Sequence, residues 1–532
     1  MVTAKNPILR GFNPDPSIIR VGRDYYIATS TFEWFPGVQI HHSRDLKNWQ
    51  LISRPLNRLS QLDMLGNPDS CGVWAPCLTY DQGTFYLAYT NVRSFDGPWK
   101  DTPNYLVTTQ DIHADHWSEP IFINSSGFDP SLFHDKDGRK WWTNMIVDHR
   151  GGKLFGGIVM QEYDDQAKKL IGPIKHIFSG TELGCTEAPH IYKRNGYYYL
   201  ITAEGGTEYG HAVSLARSKK IEGPYEVHPE NPIITSRESA DNYLQKAGHG
   251  DWVETENGSI YCVFLVGRPL SQRGRCITGR ETAIEELEWR EDGWLYAKAG
   301  RLPRKEVDLP DSEEYPFPAT PIRDDFDSDK LSIHFQSLRI PMTADWMSLT
   351  QRPGFLRLIG RESLSSFHYQ SLLARRVQEK HIRAATLLEF EPENYQQMAG
   401  LVCYYNTYHW HYVYIYGEGG EKWLSIISCD KHQVSEALEA PICLTAKKRI
   451  VLEVDFEGAD LQFFWKQEKG SRNKIGPLLD GSILSDDYVQ DAEHRYRPAF
   501  TGAFVGICCQ DLSGRKLHAD FDWFEYEELS ID

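Results

Sequence analysis

Up to about position 300 the chain repeats one pattern. A short run with apolar residues at alternate positions leads into a polar turn with glycine, and the turn leads into a run dense in aromatic and β-branched residues. Period-two alternation broken by Gly-bearing turns predicts β-hairpins. Bulky β-formers on both parities predict strands covered from two sides. The pattern occurs five times, as PDPSIIRVGRDYYIA (Asp15, Gly22), WAPCLTYDQGTFYLA (Trp74, Gly83), FDPSLFHDKDGRKWW (Asp129, Gly138), TEAPHIYKRNGYYYL (Glu187, Gly196) and the fainter GHGDWVETENGSIYCVF (His249, Gly258). In the last four copies the large polar or aromatic residue stands nine positions before the glycine; in the first the offset is seven. Successive glycines are 61, 55, 58 and 62 residues apart. Five such units predict a five-bladed β-propeller, with its turn glycines at φ > 0. A second phrase, HSRDLKNW at 42–49, has a counterpart in Thr109, Asp111 and Trp117. It predicts an outer hairpin whose Trp fills space between blades, with Asp45 and Asp111 as plain turn acids.

Beyond the fifth unit the texture changes. The stretch 308–323 carries Pro310, Pro316, Pro318 and Pro321 and reads as a linker. Runs at 331–335, 355–358, 410–416, 461–465 and 521–526 alternate at period two between polar loops. They predict an antiparallel β-sandwich. The matching strings at 325–327 and 520–522 suggest neighbouring strands at its two ends. The expected fold class is therefore all-β: a five-bladed β-propeller over 1–308, a linker over 309–323 and a C-terminal antiparallel β-sandwich over 324–532.

Composition narrows the partners. A net charge of -17 without a basic block argues against nucleic acid. No run of 18 apolar residues is present, so no membrane helix is expected. The opening MVTAKNPILRGFNPDP lacks the apolar core of a signal peptide. The 10 cysteines include no CxxC pair, and Cys508 and Cys509 would point to opposite faces of one strand. Reduced thiols in the cytoplasm are the expectation.

The first strand of each propeller blade lines the central axis, so equivalent positions converge at one end of the channel. The repeat thereby gathers Asp15, Trp74, Asp129, Glu187 and His249 around one pocket. Carboxylates are rarely buried without partners; the bland alternative is that each acid caps its own turn. Two or three acids among aromatics suit the cleavage of a glycosidic bond, which needs one protonated carboxyl and one ionised carboxylate. Glu187, with the longer reach, is the candidate general acid, Asp15 the candidate base and Asp129 the residue that orients Glu187 and raises its pKa; from the residues alone, acid and modulator could be exchanged. His249 reads either as a structural histidine or as a lone ligand of a hydrated cation. His190, three after Glu187 and of opposite strand parity, is expected to point elsewhere. Arg280 reads as a substrate contact or as a salt bridge with Glu281. Trp74, Phe32 and Trp34 read as sugar-stacking residues or as blade packing.

The stretches NPDPSI around Asp15, SSGFDPSLFHD around Asp129 and TEAPHIY around Glu187 resemble the three acid motifs of glycoside hydrolase family 43. The strings YYIATSTFEWFPGVQIHHSRDL, GVWAPCL, LITAEGGTEYGHA and GRETAI resemble its β-xylosidase branch, and the likeness spans the whole chain. The resemblance implies inversion, with Asp15 as general base, Asp129 as pKa modulator and orienter, and Glu187 as general acid. It implies exo release of D-xylose from short β-1,4-xylo-oligosaccharides, with side activity on α-L-arabinofuranosides. The alternatives are a chiefly arabinofuranosidase activity and a non-catalytic sugar-binding propeller. It further implies substrate contacts from Phe32, Trp74, His249 and Arg280, and a β-sandwich that closes the pocket with a phenylalanine from 497–504, for which Phe500 is the candidate. No cofactor is required, Ca²⁺ near the propeller axis through His249 is allowed, and homo-oligomers (dimer or tetramer) are usual.

Overall fold

The computed structural model describes residues 2–94, 97–309, 313–444, 448–490 and 499–529. Its contacts divide the chain into two all-β units. One runs to Arg273 and resumes from Arg280 to Phe317; the other takes Gly274–Gly279 and everything from Pro318 onward.

The first unit is a propeller of five antiparallel meanders. Blade one is built from Ser17–Val21, Asp24–Thr29, Gln39–Ser43 and Gln50–Ser53, and blade two from Gly72–Asp81, Thr84–Val92, Asn104–Thr109 and Ile121–Asn124. Blade three comprises Ser131–His134, Lys140–Val147, Phe155–Asp164 and Lys169–Phe178. Blade four comprises Glu187–Arg194, Tyr197–Glu204, Ala212–Ser218 and Glu226–Val227, with Ile234–Thr235 alongside its third strand. Blade five comprises Gln245–Glu254, Ile260–Gly267, Arg280–Trp289 and Leu295–Ala297. The innermost strands touch in cyclic order, and the fifth touches the first.

The core lies between blades. Tyr26, Leu78, Phe85 and the fully buried Trp117 join blades one and two; Cys77, Tyr86, Leu132 and Trp142 join two and three; Ile18, Tyr25, Val253 and Tyr261 join five and one. Asp45 and Asp111 are turn acids: Asp45 accepts from the N–H groups of Lys47 (2.9 Å) and Asn48 (2.7 Å), and Asp111 from that of His113 (2.9 Å). Each blade is a consecutive run of chain, so the ring is closed by other means. Val2–Lys5 pairs with Glu306–Leu309. The N–H of Asn13 donates to the Arg280 carbonyl at 2.9 Å, and the Asn6 amide donates to the carbonyls of Ile284 (2.8 Å) and Arg304 (2.9 Å).

Two backbone features recur in every blade. The turn glycines Gly22, Gly83, Gly138, Gly196 and Gly258 have φ of 63, 84, 88, 79 and 86°, with open space where a Cβ would sit, so the dihedral alone selects glycine. At the other end of each inner hairpin, Asp15, Ala75, Asp129, Ala188 and His249 have φ of 54, 29, 55, 50 and 53°. Each precedes a Pro or Gly, and in blades two, four and five the strand ladder shifts at this point. Left-handed backbone is uncommon for such residues and marks a bulge. It also corrects the count of nine residues: Ala75 and Ala188, not Trp74 and Glu187, share the register of Asp15, Asp129 and His249. Trp74 and Glu187 stand one residue earlier, and turns of differing length conceal the offset.

The second unit holds two antiparallel sheets. One is ordered Met347–Ser348, Leu356–Ile359, His518–Glu528, His381–Glu389, Arg449–Glu457, Asp460–Gln467, Asn473–Asp480. The other is ordered Leu372–Arg376, Phe504–Asp511, Gln397–Asn406, His409–Glu418, Glu421–Asp430, Gln433–Glu436. Arg323 and Asp324 pair with Glu525 and Phe524, so strands from the two ends of the unit are neighbours. The expected strand at 331–335 is a turn instead, with the Phe335 N–H donating to the Ser332 carbonyl at 3.1 Å. Cys508 and Cys509 are buried free thiols on one strand. The boundary after Phe317 falls within 309–323; Pro310, Arg497, Pro498 and the end of the chain from Ser530 lie outside the described residues.

Candidate active site

The bulged ends of the inner strands gather polar side chains from non-adjacent blades. Asp15, at the entry to blade one, is buried; its Oδ2 accepts from Ser30 Oγ at 2.6 Å. Its Oδ1 faces blade five, 3.3 Å from Arg280 Nη1 and 3.6 Å from His249 Nδ1. Arg280 also donates to Thr207 Oγ1 at 2.9 Å, and its guanidinium lies 5.2 Å from the centre of the Phe32 ring. Glu281 is fully buried but is held by Arg268 at 2.7 and 2.9 Å, so the carboxylate partner of Arg280 is Asp15 rather than its chain neighbour.

Asp129 Oδ2 accepts the backbone N–H of Ala188 at 3.1 Å, which ties it to the residue after Glu187 and braces the start of blade four. Burial raises the Asp129 carboxyl well above the usual range, the charge of Asp15 adds to this, and the Ala188 N–H and Arg280 oppose it. Glu187 is raised well above its usual range by burial, then by Asp129, then by Asp15, with Arg280 opposing. Acids from blades one, three and four thus share one electrostatic environment.

The linkage sign follows from these directions. A carboxyl raised in the folded state stabilises the fold below its unfolded pKa, and that contribution is lost as pH rises through the folded value. Asp129→Asn is therefore expected to raise Tm at pH 7 by a few degrees, with the gain shrinking toward pH 4 in calorimetry. The same substitution should move the alkaline limb of the kcat/KM profile to lower pH, because it removes a neighbouring carboxyl whose ionised form disfavours ionisation of Glu187. An unmoved limb would confine Asp129 to its hydrogen bond with Ala188.

His249 is driven to a pKa of about 4, chiefly by burial, and is neutral at neutral pH. Behind it, His211 is lowered to about 3, again by burial first, and its Nδ1 lies 3.0 Å from the Lys246 carbonyl. A Cβ on Gly248 would come within 2.3 Å of the His211 ring, so glycine is required there. The described residues include no group of three or more His, Cys, Asp or Glu arranged for a metal. One neutral imidazole beside the candidate base could supply only a single protein donor of the six to eight ligands that Ca²⁺ takes, and no step below uses a metal.

An aromatic wall runs along the same end: Phe12–Phe32, Phe32–Trp74, Trp74–Phe128 and Phe128–Phe155 have ring centres 5.7, 5.9, 5.2 and 6.3 Å apart. Lys100 Nζ lies 5.7 Å from the Trp74 ring. Trp34 is wholly buried and belongs to the core rather than the rim. Phe500 lies in the second unit, half-buried before the strand Phe504–Asp511.

A second polar layer follows, two residues further along each inner strand: Ser17, Cys77, Ser131, His190 and Asp251. Asp251 Oδ2 accepts from the Ile18 N–H at 2.8 Å and Ser17 Oγ at 3.1 Å, and Oδ1 accepts from the Tyr192 hydroxyl. Cys77 Sγ lies 3.8 Å from His190 Nδ1. Blades two and four are not neighbours in a ring of five, so this contact crosses the axis. His190 therefore faces the channel, contrary to its parity, because the bulge at Ala188 reverses the alternation. Ser30, Thr207, Lys100, His211 and Asp251 are site residues that the sequence did not single out.

Two carboxyls raised toward their protonated forms and a third held by Arg280 and Ser30 can serve as an acid–base pair beside an aromatic wall. On a five-bladed propeller this defines a glycoside hydrolase. The model of "Glycosyl hydrolases family 43" matches residues 4–295, and "Beta xylosidase C-terminal Concanavalin A-like domain" matches 323–527. The chain belongs to glycosyl hydrolase family 43. It is 52% identical to a "Beta-xylosidase" of Bacillus subtilis (strain 168), over 98% of this chain and 99% of that one. It is 51% identical to "Xylosidase/arabinosidase 43B" of Humicola insolens, over 99% and 98%. The solved structure of a xylan beta-1,4-xylosidase from Bacillus halodurans C-125 superimposes with a TM-score of 0.96 at 52% identity, covering 99% of this chain and all of that one.

Proposed function

We propose that this protein removes single D-xylose units from the non-reducing end of short β-1,4-xylo-oligosaccharides, with inversion, and accepts α-L-arabinofuranosides as side substrates. The observation that carries the proposal is the three-acid cluster, in which Glu187 is raised by burial and then by the other two carboxyls. Protonated Glu187 donates to the leaving glycosidic oxygen as the bond breaks. Asp15 takes the proton of a water that attacks the anomeric carbon from the opposite face. Asp129 keeps Glu187 protonated and aimed through the Ala188 N–H, and Arg280 and His249 hold Asp15 in place while offering donors to sugar hydroxyls.

The test is xylobiose hydrolysis followed by NMR from the first turnover. The expected first product is α-xylose from a β-linkage. Folded protein that releases no xylose rejects the activity, and β-xylose as first product rejects inversion. The relative kcat/KM on matched aryl xylosides and arabinofuranosides ranks the two sugars. A purely sugar-binding role is disfavoured, because binding does not need three like-charged groups forced together.

The reaction is written without a cofactor. Dialysis against EDTA is expected to leave kcat/KM unchanged; a loss restored by Ca²⁺ alone would instead assign a hydrated ion to His249. The proposal keeps Phe500 as a contributor to substrate binding, so Phe500→Ala should raise KM on xylobiose more than it lowers kcat. It also keeps a cytoplasmic homo-oligomer, dimer or tetramer, which light scattering on the purified protein reads directly.

A further inference from the structure

Trp99 is 73% exposed, the most exposed of the large hydrophobic side chains among the described residues. Its ring is nevertheless ordered by a neighbour: it stacks on His149 with centres 4.5 Å apart and planes at 26°. The two residues come from different blades. Trp99 sits between Thr84–Val92 and Asn104–Thr109 of blade two, and His149 between Lys140–Val147 and Phe155–Asp164 of blade three. Both connections leave the ends of second strands, and in an antiparallel blade these ends lie beside the starts of the inner strands, where Trp74 and Asp129 stand. The platform is thus at the mouth of the acid pocket.

Chain connectivity fixes its place more closely. Lys100, the next residue, reaches over the Trp74 ring, and Phe155, at the end of the His149 loop, closes the aromatic wall that begins at Phe12. One face of the Trp99 indole is backed by imidazole and the other is open. A flat, braced indole offers large contact area at little conformational cost, and its indole N–H can meet a hydroxyl.

We propose that Trp99, backed by His149, is a stacking platform for the leaving side of the substrate, contacting a xylosyl unit two or more residues beyond the scissile bond. This rests on the exo reading above: the non-reducing xylose enters the acid pocket, so the remainder of the chain must leave through the mouth. On this placement xylobiose, which fills only the two positions flanking the scissile bond, does not touch the platform, whereas xylotetraose does. Chain-length preference is then set on the propeller by a residue that takes no part in bond cleavage.

The experiment compares steady-state kinetics of wild type, Trp99→Ala and Trp99→Phe on xylobiose and xylotetraose. Trp99→Ala is expected to raise KM for xylotetraose about five- to tenfold, with kcat held and xylobiose within about twofold, and Trp99→Phe should recover most of the loss. Equal changes on both substrates, or none on either, would overturn the proposal. So would a shift in oligomeric mass with unchanged length preference, which would make Trp99 an interface residue. If wild type released no xylose from either substrate, the activity would be wrong and the platform would be judged separately. Xylotetraose should then quench the indole fluorescence of wild type more than that of Trp99→Ala, and equal quenching would reject it.

Discussion

Glu187→Ala should lower kcat/KM on xylobiose by about 10²–10⁴-fold while costing far less on an aryl xyloside with a good leaving group. The asymmetry is the diagnostic part. A xylosyl oxygen must be protonated as it leaves, whereas an activated phenolate leaves unaided, so loss of the acid matters only where protonation is rate-limiting. Burial and the charges of Asp129 and Asp15 raise Glu187 well above its usual range, which favours its donating form. The alkaline limb of the wild-type profile should report that raised value, and the limb should vanish in Glu187→Ala. Equal losses on both substrates would remove Glu187 from the role of acid.

Asp15→Ala should be damaging on both substrates, by a similar factor, because water must be activated whatever the leaving group. The side chain sits between Ser30, Arg280 and His249, and its removal leaves Arg280 with the Thr207 hydroxyl as one remaining partner. Tm should therefore fall, since the buried Arg280 guanidinium loses its carboxylate and Ser30 loses its acceptor. A variant that keeps activity on both substrates would exclude Asp15 as the base. A variant that fails to fold would be replaced by Asp15→Asn, which retains the shape and the acceptor for Ser30.

Much of this was readable before any coordinates. The blades were legible because each hairpin carries its own turn glycine, and the five glycines keep nearly constant spacing. Asp15 and Asp129 were legible because the same Asp-Pro step occurs in both. The nine-residue count that picks out Glu187 and Trp74 is off by one in structural register, since Ala75 and Ala188 hold the left-handed position; both residues still adjoin it. His190 was misplaced for the same reason: strand parity assumes an unbroken alternation, and Ala188 breaks it. Ser30, Thr207 and His211 are harder to single out, since each is one polar residue in a connection beside a strand: Ser30 meets Asp15 within blade one, whereas Thr207 reaches Arg280 and His211 reaches the Lys246 carbonyl across to blade five. The sandwich run at 331–335 had the alternation of a strand, yet its backbone closes into a turn at Ser332.

Blade five completes Asp15. Arg280 and His249 are made last among the residues that touch its carboxylate: His249 comes with the inner strand of blade five and Arg280 with its third strand, Arg280–Trp289. A nascent chain that has finished four blades already holds all three acids, yet lacks the groups that restrain the candidate base. Specific activity is thus expected to track the fraction of molecules in which the circle has shut.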